Sequence, residues 1–211
     1  MRFDAVIFDL DGTLVDTIPL WARAYMDTFA DFDIEISKED FMENIYVQSM
    51  SLMDALELRS LSTDLEPSFR KKRDERYIKL LETEAQWISS APDVLIELKN
   101  KLPIAIATGS HRTYTDALDR NLQLSSYSSH IFTCDDVEND KPAPDMLLLA
   151  AKELDMSPKK CLYVGDQLFD VEAAKAANMT CWLVPNTDTP MRAFQEADAV
   201  LQNLSEILEK L

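Results

Sequence analysis

Short apolar runs alternate with longer amphipathic stretches over most of the chain, and this alternation predicts the order of its elements. Runs as short as Ala5-Val6-Ile7-Phe8 are typical of buried strands. Regular alternation of strand and helix predicts a parallel sheet with crossover helices. We predict strands at 5–8, 103–107, 131–133, 161–164 and 180–184, helices near 93–101, 113–122, 144–154 and 169–177, and a capped helix that starts at Asn203.

Between Pro19 and about Ile88 the apolar residues follow the helical period instead. Two stripes carry this pattern: Trp21, Ala24, Tyr25, Thr28, Phe29 and Phe32, then Phe69, Tyr77, Leu80, Leu81 and Ile88. Capped helix starts are predicted at 37–40 and 63–66. The sequence therefore predicts an α/β protein: a Rossmann-like three-layer core with a central parallel sheet, formed by residues 1–15 and 90–211, into which an α-helical bundle of residues 16–89 is inserted.

Polar residues and rare glycines follow three of the predicted strands. The chain has three glycines, Gly12, Gly109 and Gly165, where ordinary usage of ~7% would give about 15. Asp9 and Asp11 are two residues apart, so in an extended segment they point to the same side. Two carboxylates held this close need a cation, a shared proton or a reaction that uses both. Ligands of open α/β sheets bind at the carboxyl ends of the strands, so we expect the three strand ends to form one site.

Composition narrows the classes of partner. The formal charge of −17 argues against a basic surface for nucleic acid or anionic membrane. The three cysteines show no paired spacing, which indicates reduced thiols in a cytoplasmic protein. No apolar run approaches 18 residues, and no leader is evident before the first strand, so neither membrane insertion nor secretion is expected. No patch or heptad indicates a partner surface, and we expect a monomer.

Four motifs follow one another along the chain: Asp9-x-Asp11-Gly12-Thr13, Thr108-Gly109-Ser110, Lys141-Pro142 and Gly165-Asp166-x-x-x-Asp170. In this order and spacing they closely resemble the motifs of the haloacid dehalogenase-like superfamily of phosphotransferases. The insert between the first two motifs resembles the helical cap of the subgroup that contains phosphoglycolate phosphatase and β-phosphoglucomutase-like enzymes.

The residue types suit phosphate chemistry. Magnesium takes hard oxygen ligands, and Asp9 and Asp166 could bind it directly while Asp170 acts through water. Lys141 supplies a point positive charge. Thr108 can donate its hydroxyl to a phosphoryl oxygen, and backbone amides at the strand-to-helix turns can bind the others. We therefore assign phosphate binding to Gly12, Thr108, Gly109, Ser110 and Lys141.

The resemblance implies a catalytic role for each of several residues. Asp9 would be the nucleophile that forms an aspartyl-phosphate. The backbone carbonyl of Asp11 would be a magnesium ligand, and its side chain would serve as acid and base. Thr108 and Lys141 complete the catalytic set. The function implied is a magnesium-dependent phosphatase of small phosphorylated metabolites. Related phosphatases carry Ser or Thr where this chain has Gln167.

Two alternatives stay open. The first is a sugar phosphomutase of the same superfamily, but Trp21 stands where the similar mutases have a histidine. The second belongs to another class, a regulatory or binding protein that holds a phosphorylated aspartate without hydrolysing it. Response-regulator receivers also combine aspartate, magnesium, Thr/Ser and Lys, but they lack the first and last of the four motifs.

Several other residues allow two interpretations. His111 could reach substrate or simply begin a helix, and Asp135 and Asp136 are expected at the rim or in caps. The basic run 70–73 with Arg76 is interpreted as a solvated helix face rather than an anion site. Residues 46–49 of the insert could select the leaving group or form an ordinary turn.

Overall fold

A computed structural model describes residues 3–46 and 50–211. Its sheet has six strands in the order β3-β2-β1-β4-β5-β6, and all neighbouring pairs are parallel. The first strand of the chain is therefore central, and the strand order reverses beside it. The predicted α/β fold with a parallel sheet is confirmed. Within the described residues, no helix is both long and apolar enough to cross a membrane.

The strands and helices alternate after the helical insert. The strands are β1 Ala5–Phe8, β2 Ile104–Ala107, β3 Ile131–Phe132, β4 Cys161–Gly165, β5 Thr180–Leu183 and β6 Ala199–Val200. The α-helices are α1 Ile18–Ala30, α2 Lys38–Asp40, α3 Leu52–Leu58, α4 Glu66–Glu84, α5 Ala91–Lys99, α6 Arg112–Leu122, α7 Asp145–Glu153, α8 Leu168–Ala176, α9 Met191–Glu196 and α10 Glu206–Lys210.

The sequence analysis missed β6 and α9, which lie between the last predicted strand and the last predicted helix. β6 has two residues and α9 has six, so neither is long enough to show a period. The predicted cap at Asn203 is also displaced. Ser205 is the residue before α10, and Asn203 Oδ1 accepts the Ser205 N–H instead. The other strands and helices lie within two residues of their predicted bounds.

The chain forms two compact units, one of Met1–Asp16 with Gln86–Leu211 and the other of Thr17–Ala85. The first contains the sheet. Every residue of β1 and β2 is buried, because helices cover both faces of a parallel sheet. One face packs against α7, α8 and α9 through alternate strand positions such as Ile7, Tyr163 and Cys181. The other face includes Phe8 and Trp182, whose ring meets Phe3 edge-on at 5.6 Å.

The described residues of the second unit form helices and no strand. Its core joins Tyr25 and Phe29 of α1 to Phe69 of α4, with ring centroids 4.6 Å apart for Phe29 and Phe69. These residues belong to the two predicted stripes. Ile88 does not, because α4 ends at Glu84 and the Ile88 N–H donates to Leu14 O of the first unit.

The start of α2 is capped as predicted, whereas the other start is shifted. Ser37 Oγ accepts the Asp40 N–H at 3.0 Å. At the second start, the capping side chain belongs to Ser62 and not to Thr63, and a 3₁₀ turn from Thr63 to Leu65 leads into α4. The predicted boundary was therefore wrong by one residue, which is a common displacement where several Ser and Thr residues adjoin.

The interpretation of the basic run as a solvated face was wrong for Arg73. This residue is 4% exposed, and its guanidinium donates to Tyr25 Oη at 2.7 Å and lies 4.5 Å from the Trp21 ring centroid. Arg76 and Lys72 both pair with Asp31. A long side chain on an amphipathic helix can bury its charge when ring faces and a carboxylate supply partners.

Candidate active site

The carboxyl ends of the central strands bring together residues that are far apart in the sequence. Asp9 directly follows β1, Thr108 follows β2, and Asp166 follows β4. Asn186 lies shortly after β5. The site therefore forms beside the point where the strand order reverses, which is where ligands bind in open α/β sheets.

Lys141 connects two of the carboxylates. Its Nζ lies 2.6 Å from Asp9 Oδ1 and 2.8 Å from Asp170 Oδ1, and its side chain is 3% exposed. It is therefore not the surface lysine that such a residue would usually be. A buried ammonium needs this pairing to offset desolvation. Burial lowers the pKa of Lys141, but Asp170 and Asp9 outweigh it and raise the pKa well above the usual value.

Tyr163 of β4 completes the contacts of Lys141, and sequence analysis did not find it. Its hydroxyl accepts from Lys141 Nζ at 3.1 Å and donates to Asp170 Oδ1 at 2.9 Å. Burial and the Asp170 charge raise the pKa of this phenol well above 10, so it stays a donor at neutral pH. The residue lies within a strand, two positions before Gly165, where sequence gives no signal that distinguishes a core tyrosine from a polar contact.

Asp170 belongs both to the site and to the start of α8. Its Oδ2 accepts the backbone N–H groups of Asp166 and Gln167 at 3.2 and 3.0 Å, as a first-turn carboxylate does. Gly165 is needed because a Cβ there would lie 2.6 Å from the Asp170 side chain. This close approach places the turn after β4 directly over the carboxylate.

Asp166 is fully buried and surrounded by donors. Thr13 Oγ1 donates to Oδ1 at 2.7 Å, while Gln167 Nε2 and Asn186 Nδ2 donate to Oδ2 at 2.8 and 2.7 Å. Gly12 makes room for this arrangement, because its φ is +84° and a Cβ would lie 2.9 Å from Asp166 Oδ2. Sequence analysis missed Asn186, although its position after a predicted strand was the available signal.

Asp11 forms a separate group with two hydroxyls. Thr108 Oγ1 and Ser110 Oγ each donate to Asp11 Oδ2 at 2.8 Å, and the Ser110 N–H donates to Thr108 Oγ1 at 3.1 Å. Thr108 is fully buried. The structure thus places the Asp11 side chain between the first and second motifs, beside the residues that we assigned to phosphate binding.

The remaining carboxylates form a group that fits a cation. The oxygens of Asp9, Asp166 and Asp170 lie within 4.8 Å of one another, and all three residues are buried. Burial, together with the neighbouring carboxylates, raises the pKa of Asp9 well above its usual value, although Lys141 lowers it. Burial and Asp170 raise the pKa of Asp166 to about 7. A clustered set of buried carboxylates is the donor type that hard divalent cations prefer.

Other predicted residues lie around this centre. Asp136 caps the turn at Thr133, and Asp135 accepts from His111 and from the Arg112 N–H. Gly109 faces Asp140, whose Oδ2 would be 3.0 Å from an added Cβ. Of the segment 46–49, only Tyr46 lies within the described residues.

Comparison with known proteins identifies the family. A model of the haloacid dehalogenase-like hydrolase family matches residues 3–178. The chain therefore belongs to this family, and the predicted resemblance and the prediction of a hydrolytic enzyme are confirmed.

Individual proteins show the same relationship. The chain is 32% identical over 194 residues to the protein SUPPRESSOR OF QUENCHING 1, chloroplastic, of Arabidopsis thaliana, a match that covers 88% of this chain and only 18% of that protein. It is 28% identical over 181 residues to fructose-1-phosphate phosphatase YqaB of Escherichia coli, covering 84% and 94% of the two chains. The crystal structure of CbbY from Rhodobacter sphaeroides in complex with phosphate superposes with a TM-score of 0.80 at 28% identity and covers 97% of this chain and 96% of that one.

Proposed function

We propose that the protein is a magnesium-dependent phosphatase that hydrolyses small phosphomonoesters through an aspartyl-phosphate on Asp9. The observation that carries the proposal is the buried contact of Lys141 Nζ with Asp9 Oδ1 at 2.6 Å, within a cluster of three carboxylates. Such a pair supplies a nucleophile and a positive charge at one point, which is what transfer of a phosphoryl dianion requires.

Asp9 acts as the nucleophile. One of its carboxylate oxygens bonds to phosphorus as the bond from phosphorus to the leaving oxygen breaks, and the product is an acyl phosphate. Lys141 favours the ionised form of Asp9, because its charge lowers the pKa of that carboxyl, and it offsets the negative charge of the transferred group. Asp170 and Tyr163 hold the ammonium in place, because they accept its other two close contacts.

Asp11 moves the protons. It protonates the leaving alkoxide in the first step, and in the second it takes a proton from the water that attacks phosphorus. The second step releases inorganic phosphate and restores Asp9. Thr108 and Ser110 hold the Asp11 carboxylate through their hydroxyls. Each hydroxyl has one proton to donate, so with substrate bound we assign that proton to a phosphoryl oxygen in place of Asp11, together with the backbone amides near Gly12 and Gly109.

The residues fit a bound magnesium ion. Asp9 and Asp166 would hold it directly, Asp170 through water, and Asp11 through its backbone carbonyl. The raised pKa values of Asp9 and Asp166 support this assignment, because burial and clustered negative charge destabilise their ionised forms without further positive charge. When bound, the ion would neutralise charge on the phosphoryl oxygens. Thr13, Gln167 and Asn186 orient the Asp166 carboxylate for this role.

The substrate is proposed to be a small phosphorylated metabolite. Support comes from the relative named fructose-1-phosphate phosphatase and from the phosphate complex of CbbY. We further propose that residues 16–89 act as a cap of a catalytic core formed by 1–15 and 90–211. A cap limits substrates to small molecules and excludes water from the reaction.

The mutase alternative is less well supported. Trp21, at the position where similar mutases have a histidine, packs against the rings of Tyr25 and Tyr77 at 5.0 and 4.6 Å. Its indole cannot take part in proton transfer at a sugar hydroxyl. We therefore expect release of phosphate rather than isomerisation.

The proposed setting is a cytoplasmic monomer that binds neither nucleic acid nor membrane. Its three cysteines are free thiols, two of them buried, as is usual in a reducing compartment. The charge of −17 would repel polyanions.

The test is phosphate release from a panel of small phosphomonoesters, with Mg²⁺ or with EDTA. We expect magnesium-dependent turnover that Asp9→Asn abolishes, because an amide is a poor nucleophile. The matched control is Asp4→Asn, which makes the same change at an exposed residue before β1 and should retain activity.

Two outcomes would contradict the phosphatase proposal. An isomerised product without phosphate release would favour the mutase. No release from any ester, together with a phospho-Asp9 that survives for minutes after treatment with acetyl phosphate, would favour the regulatory alternative.

A further inference from the structure

A second convergence of metal-ligating side chains lies outside the carboxylate cluster, at the ends of β2 and β3. His111 is the residue before α6, and Cys134 and Asp135 begin the turn that follows β3. Cys134 Sγ lies 3.4 Å from His111 Nδ1 and 3.9 Å from Asp135 Oδ1, and the latter two atoms are 2.8 Å apart. Three different ligand types thus meet at one point.

We propose that His111 Nδ1, Cys134 Sγ and Asp135 Oδ1 form a binding site for Zn²⁺, distinct from the carboxylate cluster. Imidazole, thiolate and carboxylate are the protein ligands of zinc, and three of them leave a fourth position for water. Magnesium is bound by oxygen ligands and has no preference for such a set. The two clusters of the structure therefore differ in the metals that they select.

The spacing of the ligand atoms suits a tetrahedral ion. With metal–ligand bonds of ~2.0–2.3 Å, the ligand atoms of such a set stand roughly 3.3–3.6 Å apart around one zinc. The two distances from Cys134 Sγ, 3.4 and 3.9 Å, lie within and just above that range. The pair His111 and Asp135 must separate by about 0.5 Å as their hydrogen bond is replaced by two bonds to the ion, and Cys134 Sγ and Asp135 Oδ1 must approach by about 0.3 Å.

Neighbouring groups orient two of the ligands. The Arg112 N–H donates to Asp135 Oδ2 at 2.7 Å, which directs Oδ1 toward His111. The Cys134 N–H donates to Ser110 O at 3.3 Å, so the turn after β3 is tied to the loop after β2. Hydrogen bonds of this kind fix the direction of metal ligands and raise their affinity.

Zinc binding would release a proton and would link two segments of the chain. A metal-bound cysteine is a thiolate, so zinc binding releases the thiol proton of Cys134 to solvent. The ion would then join residues that lie 23 positions apart in the sequence, as the contact of Cys134 with His111 does now. We therefore expect zinc to stabilise the folded chain against heat.

The experiment is a titration of metal-free protein with Co²⁺ in the presence of excess Mg²⁺, followed by absorbance. Wild type should bind one equivalent with a thiolate-to-cobalt charge-transfer band, and added Zn²⁺ should remove the band. Cys134→Ser should lose the band. His111→Gln keeps the thiol, so it should retain a band but bind more weakly by more than about tenfold.

Two matched variants serve as controls. Cys161→Ser changes a buried thiol that lies elsewhere in the fold, and Asp166→Asn changes the carboxylate cluster. Both should retain the band, and circular dichroism should show that each variant is folded. A wild type without the band, or a folded Cys134→Ser that keeps it, would overturn the proposal, whether or not the chain is a phosphatase.

Discussion

Replacing Tyr163 with phenylalanine removes one hydroxyl from the buried network around Lys141. The ring stays in the core, so the change tests the hydroxyl alone. In the wild type this group accepts from Lys141 Nζ at 3.1 Å and donates to Asp170 Oδ1 at 2.9 Å. Both partners are charged and buried, which makes their hydrogen bonds stronger than those between neutral groups.

The size of the expected loss in stability depends on the contacts that Lys141 and Asp170 keep in the variant. A hydrogen bond to a charged group contributes about 1.5–3 kcal/mol. Lys141 retains Asp9 and Asp170, and Asp170 retains Lys141 and two backbone N–H groups, so neither is left unpaired. We therefore expect a loss near the lower limit, about 1.5 kcal/mol. For a chain of this length that corresponds to a fall in Tm of roughly 3–6 °C.

The activation free energy of phosphate release should rise by a similar amount. If Lys141 is less well held, its charge is less well aimed at the transferred phosphoryl group, and 1.4 kcal/mol is about tenfold in rate. We expect kcat for phosphate release to fall about tenfold. The assays are steady-state phosphate release and thermal unfolding with saturating Mg²⁺.

Tyr127→Phe is the matched control for this change. Tyr127 is half-buried and contacts the Trp87 ring at 5.0 Å, and its hydroxyl has no hydrogen-bond partner among residues 3–46 and 50–211. The control should keep both kcat and Tm. If Tyr163→Phe also kept both, the account of Tyr163 as a positioning residue for Lys141 would be refuted.

Three further predictions concern the carboxylates and the helical unit. Gly165→Ala should lower Tm and activity, by about 1–3 kcal/mol in stability, since its Cβ would lie 2.6 Å from the Asp170 side chain. Mg²⁺ should raise Tm more at pH 8 than at pH 6, because burial raises the pKa of Asp166 to about 7 and protons compete with the ion below that pH. Arg73→Met should lower Tm by several degrees, because it leaves Asp74 and Tyr25 without their guanidinium contacts.

The sign of the pH effect depends on the raised pKa. A carboxyl whose pKa is higher in the folded chain binds its proton more tightly there, so without metal its contribution to stability falls as pH rises from about 4 to about 7. In the upper part of that pH range, bound Mg²⁺ would offset this loss of stability. Equal shifts of Tm by Mg²⁺ at pH 6 and pH 8 would contradict the assignment of Asp166 as a ligand.

Gly165→Ala and Arg73→Met each have a matched control. For Gly109→Ala, the three atoms nearest to the added Cβ all belong to the end of the exposed Asp140 side chain, which can move, so its effect on Tm should be smaller. Arg70→Met removes an exposed pair with Glu66, worth about 0–1 kcal/mol. If the control of either pair changed Tm as much as its partner, burial and close contact would not explain the prediction.

The positions of the site residues could be predicted where sequence marks the end of a strand. Asp9, Thr108 and Asp166 each follow an apolar run, and parallel strands end at one edge of the sheet, so their convergence follows from the pattern alone. Lys141 lies in a loop, and only the resemblance of its motif to the family's motifs predicted that it belongs to the site. Its ion pairs with two carboxylates needed the structure.

Other features had no local signal. β6 has two residues, which is too short for an alternating pattern, and its pairing with β5 is a long-range contact. Tyr163 and Arg73 look like an ordinary core aromatic and an ordinary surface cation in the sequence. Their roles depend on partners 7 and 48 positions away, Asp170 and Tyr25, which periodicity does not reveal.

The central claim is that phosphoryl transfer proceeds through Asp9 and not directly to water. The most direct measurement is the stereochemical course at phosphorus, with the best substrate of the panel made chiral by oxygen isotopes. Two successive in-line displacements, first by Asp9 and then by water, predict retention of configuration in the transferred group. Inversion would show a single displacement by water and would contradict the account.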